Sequence, residues 1–167
     1  GGSLDNVGRH ARTAYDAATM PQTRMRAVAL SSSPDEIETT FYEALRDADV
    51  ERVMACWADE DEIVCVHPGA PRMVGSGAIR RGYEQLLSHG ALRIHTEQVR
   101  RVETMTCAVH SLIERVEVVD ADGVDEVYVV ATNVYHRTAQ GWRLVAHHAG
   151  PASGAELHEV NDNPSVL

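Results

Sequence analysis

Three helical patterns followed by four long runs of alternating apolar and polar residues predict an α+β fold. The expected architecture is a cone-shaped, curved antiparallel or mixed sheet. Three N-terminal helices pack on its concave face and enclose a pocket. Two observations carry the prediction. The apolar spacing changes after Gly90 from helical to strand-like, and turn signals separate the last three runs.

The elements follow in order. Ser33-Pro34-Asp35-Glu36 has the form of a capping box with proline at the first helical position. Ile37, Phe41 and Leu45 then mark one helix face. Asp47-Ala48-Asp49 interrupts it, and a short second helix carries Val50, Val53, Met54 and Trp57. Ile63–His67 reads as a strand ended by Pro68-Gly69. Ser76 is the expected cap of a third helix with Ile79, Tyr83, Leu86 and Leu87 inward. The strand-like runs are 92–102, 107–119, 124–137 and 142–149, with turns at Asp120–Gly123 and Ala139–Gly141. The domain is placed at residues 34–152. Residues 1–33 form an N-terminal arm in which one helix over Ala11–Met20 is stopped by Pro21, and residues 153–167 form a C-terminal tail.

A net charge of −10 disfavours nucleic acid and anionic membrane surfaces, both of which need a surplus of lysine and arginine. No run approaches the roughly 18 apolar residues of a membrane span. No apolar signal core is visible at the N-terminus, so a cytoplasmic location is expected. Cys56, Cys65 and Cys107 are odd in number and lack CxxC spacing, which fits reduced thiols. Acidic Asp59–Glu62 lacks the glycine and ligand spacing of a metal loop. The nine histidines include no HxH or HxxxH pair, so no metal is expected. No phosphate loop, nucleophile elbow or dinucleotide motif is present, and no cofactor is expected.

Several motifs resemble the nuclear transport factor 2-like superfamily. FYEALRDADVERVMACW at 41–57 is similar to its opening helix pair, and GSGAIRRGYEQLL at 75–87 to its third helix. VYHRTAQGWRLVAHHAGPAS at 134–153 is similar to its closing hairpin. That segment, with Ile94-His95-Thr96, especially resembles the association domain of calcium/calmodulin-dependent kinase II. SnoaL-like polyketide cyclases and ketosteroid isomerases are more distant relatives by the same pattern. The resemblance implies a homodimer formed through the outer face of the sheet. Apolar Val127, Val129, Val130 and Val134 in the closing strands point the same way.

The resemblance also implies that His67 stands where isomerases carry an aspartate base, while their oxyanion-donating tyrosine falls at Phe41, which has no hydroxyl. An imidazole is capable of the same proton transfer. Strand parity over Cys107–Val119 turns Ala108, His110, Leu112 and Glu114 to the apolar face. A carboxylate there needs a partner or takes a raised pKa, which makes Glu114 a candidate acid or orienting partner beside His67. Trp57 and Tyr83 face the sheet from the helices, and Asn133 interrupts an apolar strand. His147 and His148 point to opposite faces, so one of them lines the interior; His148 is the residue assigned. The expected ligand-binding set is Trp57, His67, Tyr83, His110, Glu114, Asn133 and His148, with His67 and Glu114 as the catalytic pair. The expected function is binding of a small, mostly apolar organic molecule in the concave pocket of a homodimer. Its alternatives are a proton-transfer enzyme with His67 as base and a ligand-free assembly module.

Overall fold

Helix α1 (Pro34–Arg46) starts where Ser33 Oγ accepts the Glu36 amide at 3.1 Å, as the capping box requires. The structure, a computed structural model, describes residues 33–154 and 157–162. The expected arm, its Ala11–Met20 helix and the end of the tail lie outside the described residues. Helix α1 buries a wide face: Ile37, Glu38, Phe41, Tyr42, Ala44 and Leu45 all turn inward. Two adjacent rows at i and i+4 therefore enter the core, and the second brings Glu38 and Tyr42 with it.

Asp49 caps helix α2 (Val50–Ala55) by accepting the Arg52 amide at 3.1 Å. Strand β1 (Val64–Val66) follows, then a two-residue strand β2 (Met73–Val74) that the sequence pattern did not reveal. Helix α3 (Ser76–Leu87) differs from expectation at its start. Its cap is Gly75 at φ 85°, with no side-chain cap bond, and Ser76 is the first helical residue. That positive φ suits glycine, and the Gly75 amide is donated to Ile63 O at 2.9 Å.

The long strands β3 (Arg93–Glu103), β4 (Cys107–Asp120), β5 (Gly123–Thr138) and β6 (Gly141–Ala152) form an antiparallel meander. The six-stranded sheet runs β2-β1-β6-β5-β4-β3, and it is mixed because β1 pairs parallel to β6. Pairing shifts between Glu97 and Arg100 in β3, and again in β6 opposite Val134 and Tyr135. Such irregularities bend strands and increase their twist.

The core lies between the helices and the inner face of the sheet. Phe41, Tyr83, Ile79, Leu112, Leu144 and Tyr135 are almost fully buried there. Each large apolar side chain so buried contributes roughly 1.5–3 kcal/mol. Val129, one of the valines counted toward an outer apolar face, is buried on the inner face instead, and Val127 shares its side of the strand though it is exposed. The parity of β5 explains this, because Val129, Ala131, Asn133 and Tyr135 share one side. Cys56 and Cys65 are buried and Cys107 is half-buried, all three as free thiols. Among the described residues no helix is long and apolar enough to cross a membrane.

Candidate functional site

Strand β4 delivers His110 and Glu114 to the interior, where both are buried. Helix α1 meets them with Glu38 and Tyr42, and β5 adds Asn133 and Tyr135. Tyr42 donates its hydroxyl to Glu114 Oε2 at 2.7 Å. Asn133 Nδ2 donates to Tyr42 Oη at 2.9 Å, and Asn133 Oδ1 lies 2.5 Å from His147 Nδ1. The amide of Asn133 spends its N–H on Tyr42, so its oxygen is the acceptor and His147 Nδ1 carries the proton. The string therefore runs His147 to Asn133 to Tyr42 to Glu114, with every donor facing the carboxylate.

Burial raises the Glu114 carboxyl to about 7; the Tyr42 hydrogen bond opposes this and the charge of Glu38 adds to it. Burial, aided by the neighbouring His67 and His148, lowers His147 to about 3, so this ring is neutral at physiological pH.

A second cluster adjoins the first. Glu38 Oε2 accepts the Tyr135 hydroxyl at 2.5 Å and lies 2.7 Å from His110 Nδ1. Burial pulls His110 downward, but the hydrogen bond and charge of Glu38 outweigh it and raise the ring's pKa. His110 Nε2 is buried without a hydrogen bond, with Glu103 Oε1 at 3.6 Å. Asp35, Glu38 and His110 bring potential ligand atoms within 4.8 Å of one another. Protein donors already meet these carboxylates: Arg101 holds Asp35 Oδ1 at 2.8 Å, and Tyr135 and His110 hold Glu38.

His67 follows β1 and is half-buried. Its ring lies edge-on to Tyr83 at 5.0 Å and to His147 at 6.2 Å. Burial lowers its pKa. Among the described residues no hydrogen bond joins it to Glu114. The expected pairing of those two side chains is thus replaced by a ring contact to the end of the string. His67 Nε2 is buried and has no hydrogen-bond partner among the described residues. The ring also lines an open groove of about 690 Å³ between the β1–β2 connection and helix α3.

The other expected residues divide. Tyr83 is buried beneath His67, its hydroxyl 3.6 Å from Cys65 Sγ. Trp57 is buried too, yet it lines a separate groove of about 260 Å³ with Met54, Ser76 and Arg80. Asn133 is fully buried in the string. His148 is corrected: it is exposed on the outer side, and His147 takes the interior position. The residue pairs Val134–Ala146 and Tyr135–Leu144 skip Val145, and this one-residue bulge reverses the facing of all that follows in β6. Sequence reasoning also missed Glu38, Tyr42 and Tyr135. Glu38 and Tyr42 stand four residues apart beside the recognised Ile37–Phe41 row, and Tyr135 shares the parity of Asn133. Both signals were available in the sequence.

Residues 35–153 match the SnoaL-like domain family. A proposed calcium/calmodulin-dependent protein kinase type II association domain from Thiobacillus denitrificans is similar at 30% identity and a TM-score of 0.67, covering 73% of this chain and 97% of its own. A proposed dehydratase of the nuclear transport factor 2-like family from Streptomyces avermitilis is similar at 29% identity and a TM-score of 0.63, covering 79% and 98%. A ketosteroid isomerase-like protein from Erwinia carotovora atroseptica shares the fold at 17% identity and a TM-score of 0.59, covering 71% and 93%. No curated protein matches the chain. With most of its length matched by the family and by structures of this architecture, the chain belongs to the SnoaL-like family of the nuclear transport factor 2-like superfamily.

Proposed function

We propose that the chain binds a small, mostly apolar organic molecule in the groove beside His67. One observation carries this reading. The groove of about 690 Å³ is walled by Pro68, Ala70, Pro71, Met73 and Leu86 and reaches His67, whose buried Nε2 is unpartnered among the described residues. Sites for organic ligands commonly span about 300–1,000 Å³, with apolar walls and few polar groups. The test is native mass spectrometry of protein purified from its own host, beside His67→Ala. A bound small-molecule mass that the variant loses supports the reading. Only the unliganded mass in the wild type, with no response to a panel of apolar organic compounds, would overturn it.

A second reading, proton transfer on the bound molecule, is supported by the string that ends on Glu114. Its carboxyl, raised to about 7, exchanges a proton near neutrality. His67, lowered by burial, is a neutral base at the groove. The similar proteins assigned as a dehydratase and an isomerase-like protein fit chemistry of this type. Solvent deuterium entering the bound molecule distinguishes it, because binding alone leaves carbon-bound hydrogen in place.

Pairing with a second copy is proposed through the outer face, on the exposed Val119 and Val124, which lie opposite each other across β4 and β5. The similarity to a proposed association domain supports pairing, and it also keeps open the alternative of a ligand-free assembly module.

A further inference from the structure

The groove beside His67 runs against the acidic net charge of the chain. The protein carries 25 acidic residues against 15 basic ones. The groove's eleven lining residues include no aspartate and no glutamate, but they include Arg81, His67 and His89. Helix α3 explains the layout. Ala78, Gly82 and Leu86 form one i, i+4 row of small or apolar residues. Arg81 and Gln85 form the adjacent row, which His89 continues just past the helix end. An apolar floor is thus edged by three side chains that can each donate a hydrogen bond.

Arg81 is exposed, and no ion pair engages it among the described residues. Its neighbour Arg80, by contrast, is held by Glu51 at 2.5 Å. Arg81 edges the groove with its Nη1 lying back over Gly77 one turn earlier, and an arginine fork at the rim of an apolar floor matches a planar carboxylate attached to an apolar body. Gly82 lets the Met73 side chain lie against helix α3: a Cβ there would lie 2.2 Å from Met73 Sδ and 3.9 Å from His67 Cε1.

We infer that the groove takes an organic carboxylate, with the anionic end on Arg81, Gln85 and His89 and the apolar body on Pro68, Pro71, Met73 and Leu86 toward His67. This inference rests on the proposed binding function and names the ligand class for the same groove.

Calorimetric titration of 3-phenylpropanoate and octanoate against their uncharged amides tests it. Wild-type protein should bind the carboxylates about tenfold more tightly than the amides, as one charge-assisted hydrogen-bonded pair provides. Arg81→Gln should remove that preference, so that carboxylates and amides bind with equal affinity. Arg72→Gln, which changes an exposed arginine outside the groove lining, should preserve it. Equal affinity for acids and amides in the wild type overturns the carboxylate inference while leaving apolar binding intact. A preference that survives Arg81→Gln overturns it as well. No binding of either class overturns both the inference and the function on which it rests.

Discussion

Replacing Glu114 by glutamine tests whether the interior holds a proton that the protein can give up near neutral pH. Glutamine has the shape of the protonated carboxyl, and its oxygen can still accept the Tyr42 hydroxyl. Burial, the largest influence, moves the carboxyl from 4.5 to about 7, which corresponds to about 3 kcal/mol against the ionised form. The folded state therefore binds the proton more tightly than the unfolded chain, and wild-type stability falls as pH rises between those two values. Below pH 4.5 the acid is neutral in both states, and the two proteins should respond to pH alike. Above about 7 the wild type carries the full cost, and Glu114→Gln should be more stable by up to about 3 kcal/mol relative to the acid limit. Urea unfolding at a series of pH values reads this as a widening gap in midpoint of about 1–3 M. Parallel curves for the two proteins would refute the reasoning. So would a wild type that gains on the variant as pH rises, because that sign belongs to a carboxylate stabilised as the anion.

Tyr42→Phe removes the donor to Glu114 and leaves Asn133 Nδ2 without its acceptor; it should cost about 1–3 kcal/mol in urea unfolding and move the Glu114 titration, followed by carboxyl NMR, further upward. Gly82→Ala drives a methyl group to 2.2 Å from Met73 Sδ, the far end of a flexible side chain that can swing into the open groove, while alanine gains about 1 kcal/mol over glycine inside a helix; the unfolding midpoint should stay level or rise slightly, and a loss above about 1 kcal/mol would show that Met73 is held in place. Light scattering at micromolar concentration should give the mass of a dimer or larger assembly, and a monomer would remove the outer-face pairing.

The helices and the meander were legible because their signals are local. The capping box at Ser33, the i, i+4 row from Ile37 and the two-residue period after Gly90 each depend on neighbours in sequence. Strand β2 was hidden because two residues carry no period, and it exists through its pairing with β1. The cap of α3 went to Gly75 because the chain turns there through a positive φ, which leaves Ser76 inside the helix. In the site, parity alone placed Glu114 and His110 inward, and Asn133 stood out as a polar interruption of an apolar strand. It could not show that Glu114 would find Tyr42 rather than His67, since that choice is set by how α1 crosses the sheet. Beside the apolar row of Ile37 and Phe41 runs the parallel row of Glu38 and Tyr42, whose polarity reads as solvent-facing until their partners in β4 and β5 are known.

The exchange of His148 for His147 shows how one residue alters chemistry. Had β6 run without a bulge, Leu144, Ala146 and His148 would share a face. The unpaired Val145 breaks that alternation, so Leu144, His147 and Ala149 are the buried residues. His147 Nδ1 then reaches Asn133 Oδ1 and completes a string whose donors all face Glu114. Those donors favour the ionised carboxylate, while burial and the charge of Glu38 favour the protonated one. The opposing influences leave the proton balanced near neutrality. The same ring also packs against His67, which lines the groove, with centroids 6.2 Å apart. A bulge in the last strand thus sets the neutral histidine between the buried acid's string and the groove, and an imidazole displaced to the outer face could make neither contact.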